Sequence, residues 1–229
     1  MHNLKNIAQK FIHSVREKFK KIEDTLKAEG IKQITFLGKV SKTILIKRPK
    51  FDARALDFIK KAIRLNDDKV MLMIIEELEK IGVTILDQTL FIKNLMIPSG
   101  VLGKVQPTPE QIEDVNYGYW LAKETGKLDV GQSVIIKDKM VMAVEAIEGT
   151  DKCIKRGCKI AKRNSRVIKV AKPSQDKRFD IPAIGLRTLK TMHKYKADLI
   201  AVEAGETIIV DREEVIKYAN KHNIVVMAV

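Results

Sequence analysis

The stretch DVGQSVIIKDKMVMAVEAIEGTD, from Asp129 to Asp151, constrains this chain more than any other. VGQSVIIK is an apolar run, KDK is a charged turn around Asp138, and MVMAVEAI is a second run rich in strand formers, so the spacing predicts a β-hairpin. Glu145, Glu148 and Asp151 then fall at the end of a strand and in the loop that leaves it. A second stretch, AKPSQDKRFDIPAIG, runs from Ala171 to Gly185 with Pro173 and Pro182 near its borders. Proline fixes φ, removes a backbone donor and pushes its predecessor toward extended conformations. Asp176, Arg178 and Asp180 are therefore predicted on a fixed extended loop or edge segment. Up to five carboxylates and an arginine on two loops of one domain are costly unless a cation or a bound phosphate balances them.

Composition limits what such a cluster serves. The chain has 229 residues and 45% hydrophobic residues, enough for one large or two small domains with a real core. Lys and Arg number 43 against 29 Asp and Glu, a net charge of +14, which suits an anionic partner such as nucleic acid, a membrane surface or a phosphorylated substrate, and equally suits a lysine-rich solvated surface. Aromatic residues make up only 5% and no RNA- or DNA-binding signature is present, so nucleic acid is not the expected partner. The two cysteines, Cys153 and Cys158, have no histidine nearby and indicate neither a disulfide framework nor a zinc site, which fits a reducing cytosol. No apolar run approaches the ~18 residues that span a bilayer, and the first residues lack the apolar core of a signal peptide, so a soluble protein is expected.

In chain order, apolar residues at three- and four-residue steps (Ile7, Phe11, Val15, Phe19, Ile22, Leu26) predict a helix over 4–29 that Gly30 stops. A buried strand at 31–38, a basic loop at 39–50, helices at 52–64 and 67–81, and a strand at 83–86 follow, with 87–92 undecided. This alternation predicts a small layered α/β domain with a parallel sheet. Residues 93–106 read as irregular. The expected division is residues 1–97, a linker at 98–107, and a C-terminal catalytic domain at 108–229. Thr108-Pro109-Glu110-Gln111 is a helix start, with Thr108 as N-cap and Pro109 at the first helical position. Its helix runs to about Thr125 and Gly126. After the hairpin come a helix at 152–162, a strand at 166–172, the proline-bracketed loop, a helix at 186–195, a strand at 199–204, a second hairpin arm at 207–211, a helix at 212–222 and a last strand. His13, His193 and His222 read as surface or packing residues on helices. Glu148-Gly149-Thr150-Asp151 reads both as a functional loop and as a turn capping the next helix.

Several motifs stand in one order and spacing: D-V-G-Q at Asp129–Gln132, A-V-E-A-x-E-G-T-D at Ala143–Asp151, K-P-x-Q-D-x-R-x-D-x-P-A-I-G at Lys172–Gly185, and A-V-E-A-G at Ala201–Gly205. Together they resemble the C-terminal domain of the LpxI-type UDP-2,3-diacylglucosamine pyrophosphatases of lipid A biosynthesis. LKAEGIKQITFLGKVSK resembles a strand and basic turn of that family's N-terminal domain, so the resemblance covers nearly the whole chain. Members usually open with a further strand, glycine-rich turn and helix. The fold expected is thus α/β, with a small, incomplete Rossmann-like N-terminal domain followed by a mixed α/β C-terminal domain. Ser174 and Arg163-Asn164-Ser165 stand where the family tends to have glycine.

The resemblance implies Mg²⁺-assisted hydrolysis of UDP-2,3-diacylglucosamine to UMP and 2,3-diacylglucosamine 1-phosphate. A noncatalytic lipid- or nucleotide-binding protein derived from the family is the alternative. Cleaving a phosphoanhydride needs charge neutralisation at the phosphates and a positioned water, and Mg²⁺ takes one or two carboxylates plus substrate oxygens. Asp180, then Asp176, are the candidates for metal ligand or water-orienting base, although aspartate beside proline commonly caps a loop. Lys172 and Arg178 would meet the phosphates. Gln175, Gln132, Lys39 and Thr150 are further substrate-binding candidates, and Glu145, Glu148 and Asp151 join Asp180 as candidate metal ligands. Apolar side chains around 93–105 are expected to line a cleft for the acyl chains. The expected partners are the UDP-linked lipid and the inner face of the inner membrane, touched peripherally from the cytoplasm. The resemblance leaves a homodimer open.

Overall fold

The computed structural model describes residues 19–36 and 67–229. The first half of the 4–29 helix with His13, the 39–50 basic loop with Lys39, and the 52–64 helix lie outside the described residues.

The chain divides into two compact units. The first holds the described residues up to Leu90 together with Lys177–Asp180. Helix α1 (Phe19–Ala28) ends at Gly30, whose φ of +62° is the left-handed turn that glycine adopts without a Cβ penalty. Strand β1 (Gln33–Ile34) pairs in parallel with β2 (Thr84–Ile85), and α2 (Asp67–Lys80) precedes β2. The 31–38 strand is therefore much shorter than the sequence predicts, and Gln33 is exposed rather than buried. Ile22, Leu26, Ile75, Leu78, Val83 and Ile85 form the core, joined by the half-buried Phe179.

The second unit comprises Phe91–Asp176 and Ile181–Val229. The chain reaches it through the helical turn α3 (Thr89–Ile92) and a 3-10 turn at Lys93–Leu95. Its sheet has six strands in the order β3 (Gly100–Leu102), β10 (Val225–Ala228), β8 (Ala197–Val202), β6 (Ser165–Lys169), β4 (Ser133–Lys137), β5 (Met140–Val144). Strands β10, β8 and β6 are parallel, and β3 and β4 are antiparallel to their neighbours. Val134 and Ile136 join one core cluster with Val115 and Ala122 of α4 (Pro109–Lys127). Ile135 joins another with residues of α5 (Thr150–Ala161), α6 (Leu186–Lys194) and α7 (Arg212–Lys221). Successive side chains of a strand point to opposite faces, so α4 covers one face and the other three helices the opposite one. The strands buried on both sides read as continuous apolar runs for this reason.

Helix α4 begins as its sequence predicts: the Thr108 hydroxyl accepts from Gln111 N at 3.3 Å, and Gln111 Oε1 accepts from Thr108 N at 3.0 Å, a capping box. The β4–β5 hairpin also forms as expected, with Asp138 and Lys139 both at positive φ in its two-residue turn. The Asp114 carboxylate accepts from both turn N–H groups, at 3.1 and 2.7 Å, and lies 3.2 Å from Arg166 Nε, so a buried ion pair fixes the turn.

Two further expectations fail. The stretch read as irregular contains β3, which pairs with β10; three residues among Gly100, Gly103 and Pro98 leave no pattern to detect. The 207–211 segment is not a hairpin arm. Its strand β9 (Ile208–Ile209) pairs in parallel with β7 (Ala183–Ile184), because both edges of β8 are already taken by β6 and β10.

Candidate active site

In the second unit, the carboxyl ends of β6, β8 and β10 share one edge of the sheet, where β4 begins and β5 ends. Open α/β sheets bind ligands outside the carboxyl ends of their parallel strands. Ser133 on β4 is the register partner of Lys169 on β6, and Glu145 N donates to Ser133 O at 2.8 Å. Counting by twos from Ile135, Ala143 and Val167, the side chains of Ser133, Glu145 and Lys169 form a row on the α5 side. Thr150 sits at the first turn of α5 and bridges that row: its hydroxyl donates to Glu145 Oε1 at 3.0 Å and accepts from Lys169 Nζ at 3.2 Å. The turn leads into α5 with Gly149 as its N-cap, and the Thr150 hydroxyl serves the row instead of capping the helix. Glu145 and Lys169 are each 8% exposed. Glu145 Oε2, Ser133 Oγ and Gln132 Oε1 are buried without a hydrogen-bond partner among the described residues. Gly131 presses on this row, since a Cβ there would lie 2.1 Å from Glu145 O.

At the same edge, on the α4 side, Glu203 just past β8 anchors the start of the proline-bracketed loop. Its carboxylate accepts from Tyr119 OH at 3.0 Å, from Lys123 Nζ at 2.9 and 3.0 Å, and from Ala171 N at 2.8 Å. Lys123 also donates to Ala171 O at 2.9 Å. Burial, then the hydrogen bond to Glu203, pushes the Tyr119 phenol up to about 12. Lys172 follows directly: its N–H donates to Gln175 Oε1 at 2.7 Å and its ammonium lies 2.6 Å from Asp129 Oδ1. Gly126, at the end of α4, gives the loop room, with Lys172 Cα 3.5 Å from where a Cβ would stand.

The structure thus brings Gln132, Glu145, Thr150, Lys172 and Gln175 to one edge, where Asp176 follows half-buried on the same loop. Glu148 and Asp151 are turned onto arginines. Glu148 pairs with Arg156, which holds its carboxyl below the ordinary range, and Asp151 Oδ2 lies 2.8 Å from Arg187 Nε. Arg178 and Asp180 belong to the first unit, where Arg178 Nη1 lies 3.4 Å from Glu79 Oε1, Gln88 N donates to Lys177 O at 3.0 Å, and Asp180 is half-buried. Ser133, Lys169, Tyr119, Lys123 and Glu203 are edge residues that sequence reasoning did not single out. A lysine inside the apolar run RVIKVAK and a glutamate closing LIAVEA were the available signals.

Among the described residues no group of three His, Cys, Asp or Glu converges as a metal centre. The donors that fit a hard cation are Glu145 Oε2 and Gln132 Oε1, both buried oxygens lacking a partner among the described residues. One or two such ligands suffice for Mg²⁺, which keeps waters and substrate oxygens as the rest of its shell. Arginine-paired Glu148 and Asp151 fit less well.

The profile of the LpxI N-terminal domain matches residues 1–95, and that of the LpxI C-terminal domain matches residues 98–227. A relative from Caulobacter vibrioides, UDP-2,3-diacylglucosamine pyrophosphatase LpxI, is 35% identical over 227 residues, covering 92% of this chain and 79% of the relative. Domain matches that cover almost every residue, and a relative 35% identical over 92% of the chain, establish that the chain belongs to the LpxI family.

Proposed function

We propose that this protein hydrolyses the pyrophosphate bond of UDP-2,3-diacylglucosamine to UMP and 2,3-diacylglucosamine 1-phosphate. The observation that supports this most directly is the Glu145–Thr150–Lys169 row, a carboxylate with one unengaged oxygen bridged to a buried lysine at the carboxyl edge of an LpxI-family sheet. In the reaction a water oxygen forms a bond to phosphorus as the bridging P–O bond breaks. A carboxylate takes the water proton, and the leaving phosphate departs as a phosphomonoester. Lys172 would draw charge from the phosphates, with Gln175, Gln132 and Thr150 orienting them, and Asp180 or Asp176 would orient the water or take its proton. Arg178 would supply a bidentate phosphate contact, and Lys39 a further cation. Mg²⁺, when bound, would neutralise phosphate charge, with Glu145 and Gln132 as its protein donors. Action at the cytoplasmic face of a membrane, peripherally, completes the reading.

The test is UMP release from UDP-2,3-diacylglucosamine with and without Mg²⁺, comparing the natural chain with Asp180→Ala and Glu145→Gln. Turnover that depends on Mg²⁺ and falls at least a hundredfold in either variant, with circular dichroism unchanged, is expected. No turnover by the natural chain, with bound lipid or nucleotide found on it, overturns catalysis in favour of a binding protein.

A further inference from the structure

The outer surface of the α5–α6 layer carries far more cation than any role at the sheet edge requires. Residues 150–163 hold six Lys and Arg against one carboxylate, and 186–196 hold four Lys and Arg and no carboxylate. All ten cations are exposed. The two helices are neighbours, and both bury Cys153, Cys158, Leu189 and Met192 against the sheet, so their remaining faces form one continuous basic surface. Arg187, Lys190 and Lys194 recur at helical spacing and line an open groove with Leu186 and Thr191. Ile160, 59% exposed, stands beside Lys159 in the midst of this charge. Seven of these cations stand on the two helices and three just past their ends; Arg156 and Arg187 are paired with Glu148 and Asp151, and the remaining lysines and Arg163 repel one another, a repulsion that an anionic surface relieves without requiring any particular geometry of each contact.

We infer that the α5–α6 face docks the protein on a bilayer of anionic phospholipids, the lysines meeting headgroup phosphates and Ile160 entering the interface. The choice of a bilayer over nucleic acid rests on the proposed diacylated substrate, which must be drawn from a membrane. The face itself agrees with it. Single-stranded nucleic acid is held by aromatic platforms, and of the two rings here Tyr195 is half-buried with Lys194 Nζ 5.8 Å from its centroid, while His193 packs on Tyr218 and His222. Clustered lysines near an anionic leaflet each add about fivefold to partitioning, and the effect is lost within a Debye length and with added salt.

The experiment is sedimentation of the full chain with sucrose-loaded vesicles of phosphatidylcholine containing 30% phosphatidylglycerol, against pure phosphatidylcholine. The natural chain should bind the anionic vesicles only, and release at 0.5 M salt. Lys155→Glu/Lys159→Glu/Lys190→Glu/Lys194→Glu should weaken partitioning at least a hundredfold, and the matching Gln variant by an intermediate factor. UMP release from detergent-dispersed substrate should stay within twofold in both, which separates this face from the chemistry. Equal partitioning of natural and charge-reversed chains, or equal binding to neutral vesicles, overturns the inference. Tighter binding to a duplex or single-stranded oligonucleotide than to the vesicles, lost in the same variant, overturns it in favour of nucleic acid. Vesicle binding by a chain that releases no UMP would leave this face standing while the proposed reaction fell.

Discussion

Replacing Glu203 by Gln tests how the proline-bracketed loop is held. The carboxylate is 13% exposed and its partner Lys123 is 24% exposed. Glutamine keeps one acceptor oxygen but cannot serve Tyr119, Lys123 and Ala171 N together. Leaving the buried Ala171 N–H without its acceptor costs about 1–3 kcal/mol. Loss of the largely shielded, charge-assisted pair with Lys123 adds about 1–2 kcal/mol, less than a fully buried pair because water reaches the ammonium. The sum, roughly 2–5 kcal/mol, is a large share of the ~5–15 kcal/mol of a typical domain. With a urea m-value of about 2 kcal/mol/M, the unfolding midpoint should fall by about 1–2.5 M. Because Ala171 precedes Lys172, kcat should drop by more than KM rises in conditions where the variant is folded. In Lys123→Met/Glu203→Gln the two losses should be less than additive, since each single change already breaks the same pair. A midpoint shift under 0.3 M, or strict additivity, would show that the carboxylate does not anchor the loop.

Two further outcomes follow from the same edge. The Tyr119 phenol is raised from the ordinary 10.0 to about 12, so folding favours its protonated form; that contribution is complete below pH 10 and is lost as pH rises through about 12. Absorbance titration near 295 nm should show one of the four tyrosines ionising late, and Tyr119→Phe should remove that late step; an unchanged curve would refute the assignment. Gly131→Ala forces the Glu145 backbone to move, since the new methyl would stand 2.1 Å from its carbonyl oxygen, and should cost about 1–3 kcal/mol and at least tenfold in kcat, measured by urea unfolding and UMP release. A fully active variant would mean that Glu145 is not held for the chemistry.

Much of the second unit was legible in its residues because local signals agreed there. The Thr108 cap, the Asp138-Lys139 turn and the double-sided apolar runs each specify their element with few alternatives. What the sequence concealed was set by pairing at a distance. β7 and β9 are two residues each, and only the full occupancy of β8 decides that they meet one another. The same holds for chemistry. Glu145 and Thr150 were visible as candidates because they lie close in sequence, whereas Lys169 and Glu203 reach the edge from other strands and become meaningful only through register. Glu148 and Asp151 were good candidates by proximity, but Arg156 of the following helix meets the first and Arg187, from the next helix along, meets the second. A carboxylate's neighbours in space, not its motif, determine whether it has an oxygen to spare.

The short insertion Lys177–Asp180, which belongs to the first unit while both of its flanks belong to the second, means that neither unit is a continuous length of chain. Shuffling domains between LpxI relatives at the single junction near residue 96 would therefore pair each N-terminal core with a foreign Phe179 and a foreign Arg178 partner for Glu79. Inheritance of the two units is coupled by four residues. A viable hybrid must exchange that tetrapeptide along with the N-terminal part, and drift in one unit is answerable to the gene segment that encodes the other.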